Sequence, residues 1–198
     1  MKRLTPLPLM AVLAACQPAA PQGEEPADAP ALEAPATPAP EISDSRAVST
    51  AGVGPITAET PFDAEAIRAL FPDAEVEAEF LHGEGQPTPI ITVMGTDETV
   101  LEIHGGGDGN VGQVMVLGGA FSGPGGETLM AGWPDLGLTA ADCVMGEGRF
   151  TGQPVCRKAG APNLAYVLAV PNWTRAELPD PTTLNGRARL AALVWTRP

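Results

Sequence analysis

From Glu75 to Phe80 the chain alternates without a break, with Val76, Ala78 and Phe80 on one side and Glu75, Glu77 and Glu79 on the other. Successive strand side chains point to opposite faces, so this is the period of a half-buried β-strand with its acidic face outward. Three apolar runs follow at residues 90–94, 100–104 and 114–117, parted by Gly95-Thr96-Asp97-Glu98 and by the glycine-rich residues 105–112. Short apolar runs between turn-forming clusters read as an antiparallel meander. Two further strands are expected late in the chain, at residues 164–170 and 188–195. Between them residues 171–185 carry turn chemistry, with one helical turn after Pro181. Residues 118–137 are glycine-rich and expected to be irregular, and a short helix is expected to start at Thr139 and run towards Cys143.

One main helix is expected ahead of the meander. Thr60 can cap it, Pro61 suits its first turn, and Asp63 favours its positive end. Phe62, Ala66, Ile67, Leu70 and Phe71 then share one face, and Pro72 stops the helix. The element order implies an α+β fold, an antiparallel sheet of about five to seven strands with one main N-terminal helix packed on it. Trp133, Trp173 and Trp195 are expected in core or edge packing in a chain so poor in aromatics.

The first 45 residues read differently. Lys2 and Arg3 precede an apolar stretch from Leu4 to Leu13, then Ala14-Ala15-Cys16. A basic start, a short apolar core and small residues at a cut site make a secretory leader over residues 1–15. It is too short, and too broken by Pro6 and Pro8, for a membrane span of ~20 apolar residues. Leu13-Ala14-Ala15-Cys16 resembles the lipobox of bacterial lipoproteins. That resemblance implies a diacylated Cys16 as the first residue of the mature chain, and Gln17, in place of aspartate, implies the outer membrane. Two or three acyl chains hold a protein firmly, whereas one anchors it marginally. The alternative, an ordinary secretory leader cut nearby, leaves Cys16 a free thiol. Residues 16–45 are a Pro/Ala-rich tract with no apolar period, read as a disordered tether whose prolines favour extension at ~3.1 Å per residue. Residues 46–198 then form a single domain.

That domain holds 9 Lys+Arg against 18 Asp+Glu, and so carries most of the chain's net charge of −13. Nucleic acid and anionic lipid surfaces need a basic footprint and are not expected partners, while a cationic partner is allowed. With Cys16 committed to lipid, Cys143 and Cys156 remain as an even pair in a compartment where disulfides persist. They flank Gly146, Gly148, Gly152 and Pro154, a stretch able to turn back as a hairpin, and are expected to be bonded to each other. A metal or redox pair is disfavoured, since no CxxC occurs and only His82 and His104 are on hand to complete a site.

Other motifs weaken on inspection. Gly107-Asp108-Gly109-Asn110-Val111-Gly112 matches the dinucleotide fingerprint by letter, but Val114-Met115-Val116-Leu117 follows it as a strand. Without a helix N-terminus there is no pyrophosphate site, and a hairpin turn is the better reading. Asp108 and Asn110 supply too few oxygens for calcium. Ser122 lacks the strand-to-helix elbow of a hydrolase nucleophile. His82 and His104 have Glu84 and Glu102 nearby, which is common in an acidic chain.

Gly52-Val53-Gly54-Pro55-Ile56, Thr60-Pro61-Phe62, the Ile67 to Pro72 segment and Pro89-Ile90-Ile91 form one set of landmarks. The cysteine-flanked residues 146–156, Pro162-Asn163-Leu164-Ala165-Tyr166-Val167 and the closing Leu193-Val194-Trp195-Thr196-Arg197-Pro198 complete it. Together they resemble the sigma-E-regulated lipoprotein family, a bacterial domain of unknown function. The resemblance covers most of residues 52–198 and implies an envelope-stress-linked lipoprotein facing the periplasm. It implies no reaction and no catalytic residues.

The expectation is therefore a lipid-anchored envelope protein, not an enzyme and without cofactor or metal. It would serve as a binding or envelope-maintenance module that touches the membrane through its anchor and meets another envelope protein or a cationic partner. The alternative is a periplasmic inhibitor of a basic enzyme such as lysozyme, steered by opposite charge.

Overall fold

The computed structural model describes residues 46–83, 85–95 and 98–198. The expected leader, Cys16 and the Pro/Ala-rich tether lie outside the described residues. What is described is mostly β and departs from the expected α+β sheet under one main helix. A three-stranded antiparallel sheet is built from β1 (Val48–Ser49), β2 (Gly52–Val53) and β3 (Ile56–Thr57). Gly52 is required here, because a Cβ at this position would come within 1.9 Å of the Ile56 carbonyl oxygen across the tight turn.

The second sheet has eight antiparallel strands. These are β4 (Glu75–Leu81), β5 (Thr88–Met94), β6 (Thr99–Gly105), β7 (Val111–Val116), β8 (Cys143–Met145), β9 (Pro154–Cys156), β10 (Leu164–Ala169) and β11 (Arg189–Thr196). Their order across the sheet is β4-β5-β6-β7-β11-β10-β9-β8. The expected meander is present as β4 to β7, and the glycine-rich turn after β6 is a hairpin connection to β7. Strand β11 lies between β7 and β10 and joins the meander to the other three strands. Within this sheet β8 and β9 are foreshadowed only by the hairpin expected between Cys143 and Cys156. Each is three residues long, too short to display a period.

The helix is the main correction. α1 spans only Ala64–Leu70, and Ile67 is its one fully buried residue. Thr60, Pro61 and Phe62 do not cap or start it, because backbone partners claim them first. Val111 N–H donates to the Thr60 carbonyl at 2.8 Å, Phe62 N–H donates to the Gly109 carbonyl at 2.9 Å, and Pro61 bridges to Asn110. The helix begins at the next capping residue, where the Asp63 carboxylate accepts from the N–H groups of Glu65 and Ala66, both at 3.0 Å. Asp63→Ala is expected to cost about 1 kcal/mol, measurable by urea unfolding. A second short helix, α2 (Pro181–Arg187), follows Asp180 as its N-cap and buries Leu184. The helix expected from Thr139 is a single 3-10 turn, Ala140–Asp142.

Both faces of the large sheet bury apolar side chains, in two clusters. The larger brings Leu101, Ile103, Leu164, Tyr166, Leu193 and Trp195 together with residues of the small sheet, α1 and α2. The smaller, on the opposite face, groups Met115, Val155, Ala165, Val167, Ala192 and Val194, with Phe150 packed against it. This two-sided burial explains why Leu164–Ala169 is an unbroken apolar run. Trp195 and Trp133 are buried as expected, while Trp173 is half-buried and donates through Nε1 to the Glu177 carbonyl.

Candidate functional site

Four features of the described residues have the polarity or exposure to support a role: two buried ion clusters, an exposed ion pair and one edge of the large sheet. The first cluster centres on Glu102 of β6. His104, two residues along the same face, lies 2.7 Å from it through Nε2. Arg149, in the turn joining β8 to β9, grips both carboxylate oxygens, with Nη2 to Oε2 at 2.7 Å. Burial opposes ionisation of Glu102, but the hydrogen bonds and charges of His104 and Arg149 overcome it and hold its pKa at about 2. The cluster ties the β8–β9 turn to the middle of the sheet. It contributes stability above the ordinary carboxyl pKa, and that stability is lost as the pH falls through about 2. Unfolding by urea is expected to become easier between pH 5 and pH 2, and less so in Glu102→Gln. Beside it, the buried Thr92 hydroxyl has no hydrogen-bond partner among the described residues.

The second cluster centres on Glu127, whose side chain is only 3% exposed. Lys158 donates to it, as does the N–H of Gly125 at 2.8 Å, and the Tyr166 hydroxyl lies 3.5 Å away. Lys158 also stands 5.0 Å from the centre of the Tyr166 ring, within reach of a cation–π attraction. Burial again resists ionisation of Glu127, yet Lys158 and backbone donors lower its pKa; burial likewise opposes the charge on Lys158, yet Glu127 and Tyr166 outweigh it and raise its pKa. The glycines flanking this carboxylate have a steric reason. A Cβ on Gly123 or Gly125 would lie 2.6 or 2.7 Å from its oxygens. At the surface, Arg197 donates to Asp108 at 2.6 Å and holds its pKa at about 2. That pair closes the glycine-rich turn between β6 and β7.

The remaining feature is β4. It is an edge strand, and all its residues but Val76 are exposed. The outward acidic face is as the alternation predicts. The apolar face differs: Ala78 is exposed, Phe80 is 62% exposed and the adjoining Leu81 39%. No described element covers this end of β4, although Ile91, opposite Ala78, belongs to the core, so period alone does not bury it. None of Glu75, Glu77 and Glu79 is in an ion pair among the described residues. At the near end, Glu75 lines a cleft of about 970 Å³ with Leu70, Phe71, Met94, Phe121 and Glu98.

Of the residues singled out from sequence, Cys143 and Cys156 stand directly opposite each other in β8 and β9 and are joined by a disulfide, with Cα atoms 3.9 Å apart. His82 is exposed beside the far end of β4, and His104 is held by Glu102. Glu127, Arg149 and Lys158 escaped the sequence reading. Their partners are 47 and 31 residues away in the chain, and no short-range spacing signals such a pair. Among the described residues no group of three or more His, Cys, Asp or Glu is placed to hold a metal ion. No described helix is long and apolar enough to cross a membrane.

Comparison with solved structures finds the fold in a crystal structure of the uncharacterized protein yfeY from Escherichia coli. The TM-score is 0.64 at 24% identity, over 76% of this chain and 99% of that one. No curated protein matches the sequence. A family model described as a protein of unknown function, DUF1131, matches residues 34–197, a span that takes in both sheets and the disulfide. The chain belongs to the DUF1131 family.

Proposed function

We propose that this chain is a lipid-anchored protein of the bacterial envelope, held at the outer membrane through Cys16, whose domain binds another envelope component without catalysing a reaction. The observation that carries the binding role is the β4 edge, where Phe80 and Leu81 are exposed beside three glutamates that have no ion partner among the described residues. An exposed edge strand presents a row of N–H and C=O groups that is a template for pairing with another chain. The lipobox-like Leu13-Ala14-Ala15-Cys16 and the resemblance to sigma-E-regulated lipoproteins support the anchor and the periplasmic side. For a non-catalytic role, the support is that His104 and Glu102 are spent on each other and on Arg149.

The test is a pull-down from crosslinked envelopes, comparing the native chain with Cys16→Ala, alongside metabolic labelling with palmitate. The expected result is label on the native chain alone, and a set of crosslinked partners that is lost with the anchor. Unchanged labelling in Cys16→Ala would remove the anchor from the proposal. Hydrolysis of a peptidoglycan, ester or phosphoester substrate, abolished by a change in the cleft beside Glu75, would remove the non-catalytic role. The acidic edge also fits a basic enzyme as the bound component. Titration against basic lysozymes checks that version, and no inhibition at micromolar concentration would discard it.

A further inference from the structure

We infer that the outer edge of β4 takes up an extended, basic segment of its partner as a ninth strand of the large sheet, lysine or arginine side chains of that segment facing Glu77 and Glu79. The inference rests on the binding role proposed above and gives it a chemistry. It begins with the direction of the backbone. In an antiparallel ladder, residues alternate between those that bond to the neighbouring strand and those whose N–H and C=O point away from it. The Val76 carbonyl accepts from Arg68 of α1 at 3.0 Å, so it is turned away from β5. Phe80 stands opposite Pro89, which has no N–H to give. Both observations place Val76, Ala78 and Phe80 in the outward set. Arg68 occupies the first carbonyl, and the N–H and C=O groups of Ala78 and Phe80 have no backbone partner among the described residues and form the open stretch.

The side chains then choose the occupant. Glu77 and Glu79 project from one face of β4, about 7 Å apart along the strand. Ala78 and Phe80 project from the other, with Phe80 62% exposed. A second copy of this chain does not fit. Pairing two β4 edges antiparallel through their outward amides must match Ala78 or Phe80 with the same residues of the other copy. Ala78 opposite Ala78 or Phe80 sets glutamate opposite glutamate, which is destabilising, and Phe80 opposite Phe80 overlaps the two strands over residues 79–81 alone and leaves the open Ala78 amide outside the pairing. Charged side chains on an edge strand are a known guard against self-pairing. The same glutamates favour a strand with basic residues on the matching face, and Phe80 offers an apolar contact to the alternate side chains. Such strand addition draws affinity from main-chain hydrogen bonds and selectivity from alternate side chains.

The test uses the full-length chain in detergent and a short L-peptide alternating lysine and valine. The controls are its glutamate–valine counterpart and a lysine–valine peptide with D-residues at alternate positions, which has the same charge but cannot form a regular strand. Binding is read by fluorescence anisotropy at low and high salt, and by amide hydrogen exchange. The all-L basic peptide is expected to bind roughly tenfold or more tightly than either control, because strand hydrogen bonds separate it from the alternating-D peptide and charge against Glu77 and Glu79 separates it from the acidic one. The Ala78 and Phe80 amides should slow on its addition, and Glu77→Lys with Glu79→Lys should reverse the preference towards the acidic peptide. Equal binding of the L and alternating-D basic peptides would overturn strand addition and leave a bare charge attraction. No binding of the all-L basic peptide would overturn the inference. So would slowed Ala78 and Phe80 amides in the chain alone at high concentration, which would assign the edge to a second copy. Envelope crosslinks that persist in the Glu77→Lys, Glu79→Lys chain would overturn this inference while leaving the proposed binding role intact.

Discussion

Cys143→Ser with Cys156→Ser is expected to lower the stability of the domain by about 3 kcal/mol, the chain-entropy value for a loop of this size. The separation of 13 residues sets that value. Position adds to it. β8 is the far edge of the large sheet, three residues long, with Val144 62% exposed, so little apolar burial holds it in place. Cys156 is fully buried and Cys143 nearly so, and serine hydroxyls at those positions need hydrogen-bond partners that the sulfurs do not. For a domain of this length, the loss corresponds to a fall in Tm of roughly 6–12 °C. Differential scanning calorimetry of the double variant, and of the native chain under reductant, checks it. An unchanged Tm in both would show that the pairing of β9 with β10 and the Arg149–Glu102 contact hold the hairpin without the sulfur bridge.

Lys158→Met is expected to be as costly at neutral pH, about 3 kcal/mol, because it leaves the Glu127 carboxylate buried without its cation. Methionine keeps most of the side-chain volume, so the loss reports charge more than packing. The pH dependence distinguishes the two. In the native chain the Glu127 pKa is lowered, so its ionised form contributes stability above the unfolded carboxyl pKa, and that stability is lost as the pH falls through the folded value. In Lys158→Met the principal lowering influence is gone while burial, which raises the pKa, remains. The difference between variant and native stability should therefore be largest near neutrality and shrink in acid, as the orphaned carboxyl takes up a proton. A pH-independent deficit in urea unfolding would assign the loss to packing against Tyr166 instead.

The strands legible in the sequence were those with either a clean alternation or a long apolar run. β4 announced itself through Glu75, Glu77 and Glu79, and β10 through Leu164–Ala169. β8 and β9 were legible only as a hairpin between two cysteines, since three residues carry no period. The first helix is shorter than its sequence suggests because Thr60 and Pro61 have the chemistry of a helix start, and a local signal does not reveal that the Gly109 to Val111 backbone will claim them. The acidic face of the candidate edge is visible from the outset. Its exposed apolar half is not, because the alternation that predicts a buried face assumes an element covering that face, and Ala78 and Phe80 lie uncovered on the edge strand although Ile91, opposite Ala78, belongs to the core. The two buried ion clusters depend on contacts between distant segments, and only the fold brings Arg149 to Glu102 and Lys158 to Glu127.

The place of β11 between β7 and β10 bears on the order of events during synthesis. Residues 189–196 leave the ribosome after every other described strand, yet they supply the seam along which the four-stranded meander and the β8–β10 group are joined. Until they emerge, β7 and β10 each present an open edge, and neither half can complete its hydrogen bonding. Trp195, fully buried and donating to the Thr50 carbonyl at 3.1 Å, also fastens the start of the domain to that last strand. A nascent chain built this way stays unlocked until its final strand is made.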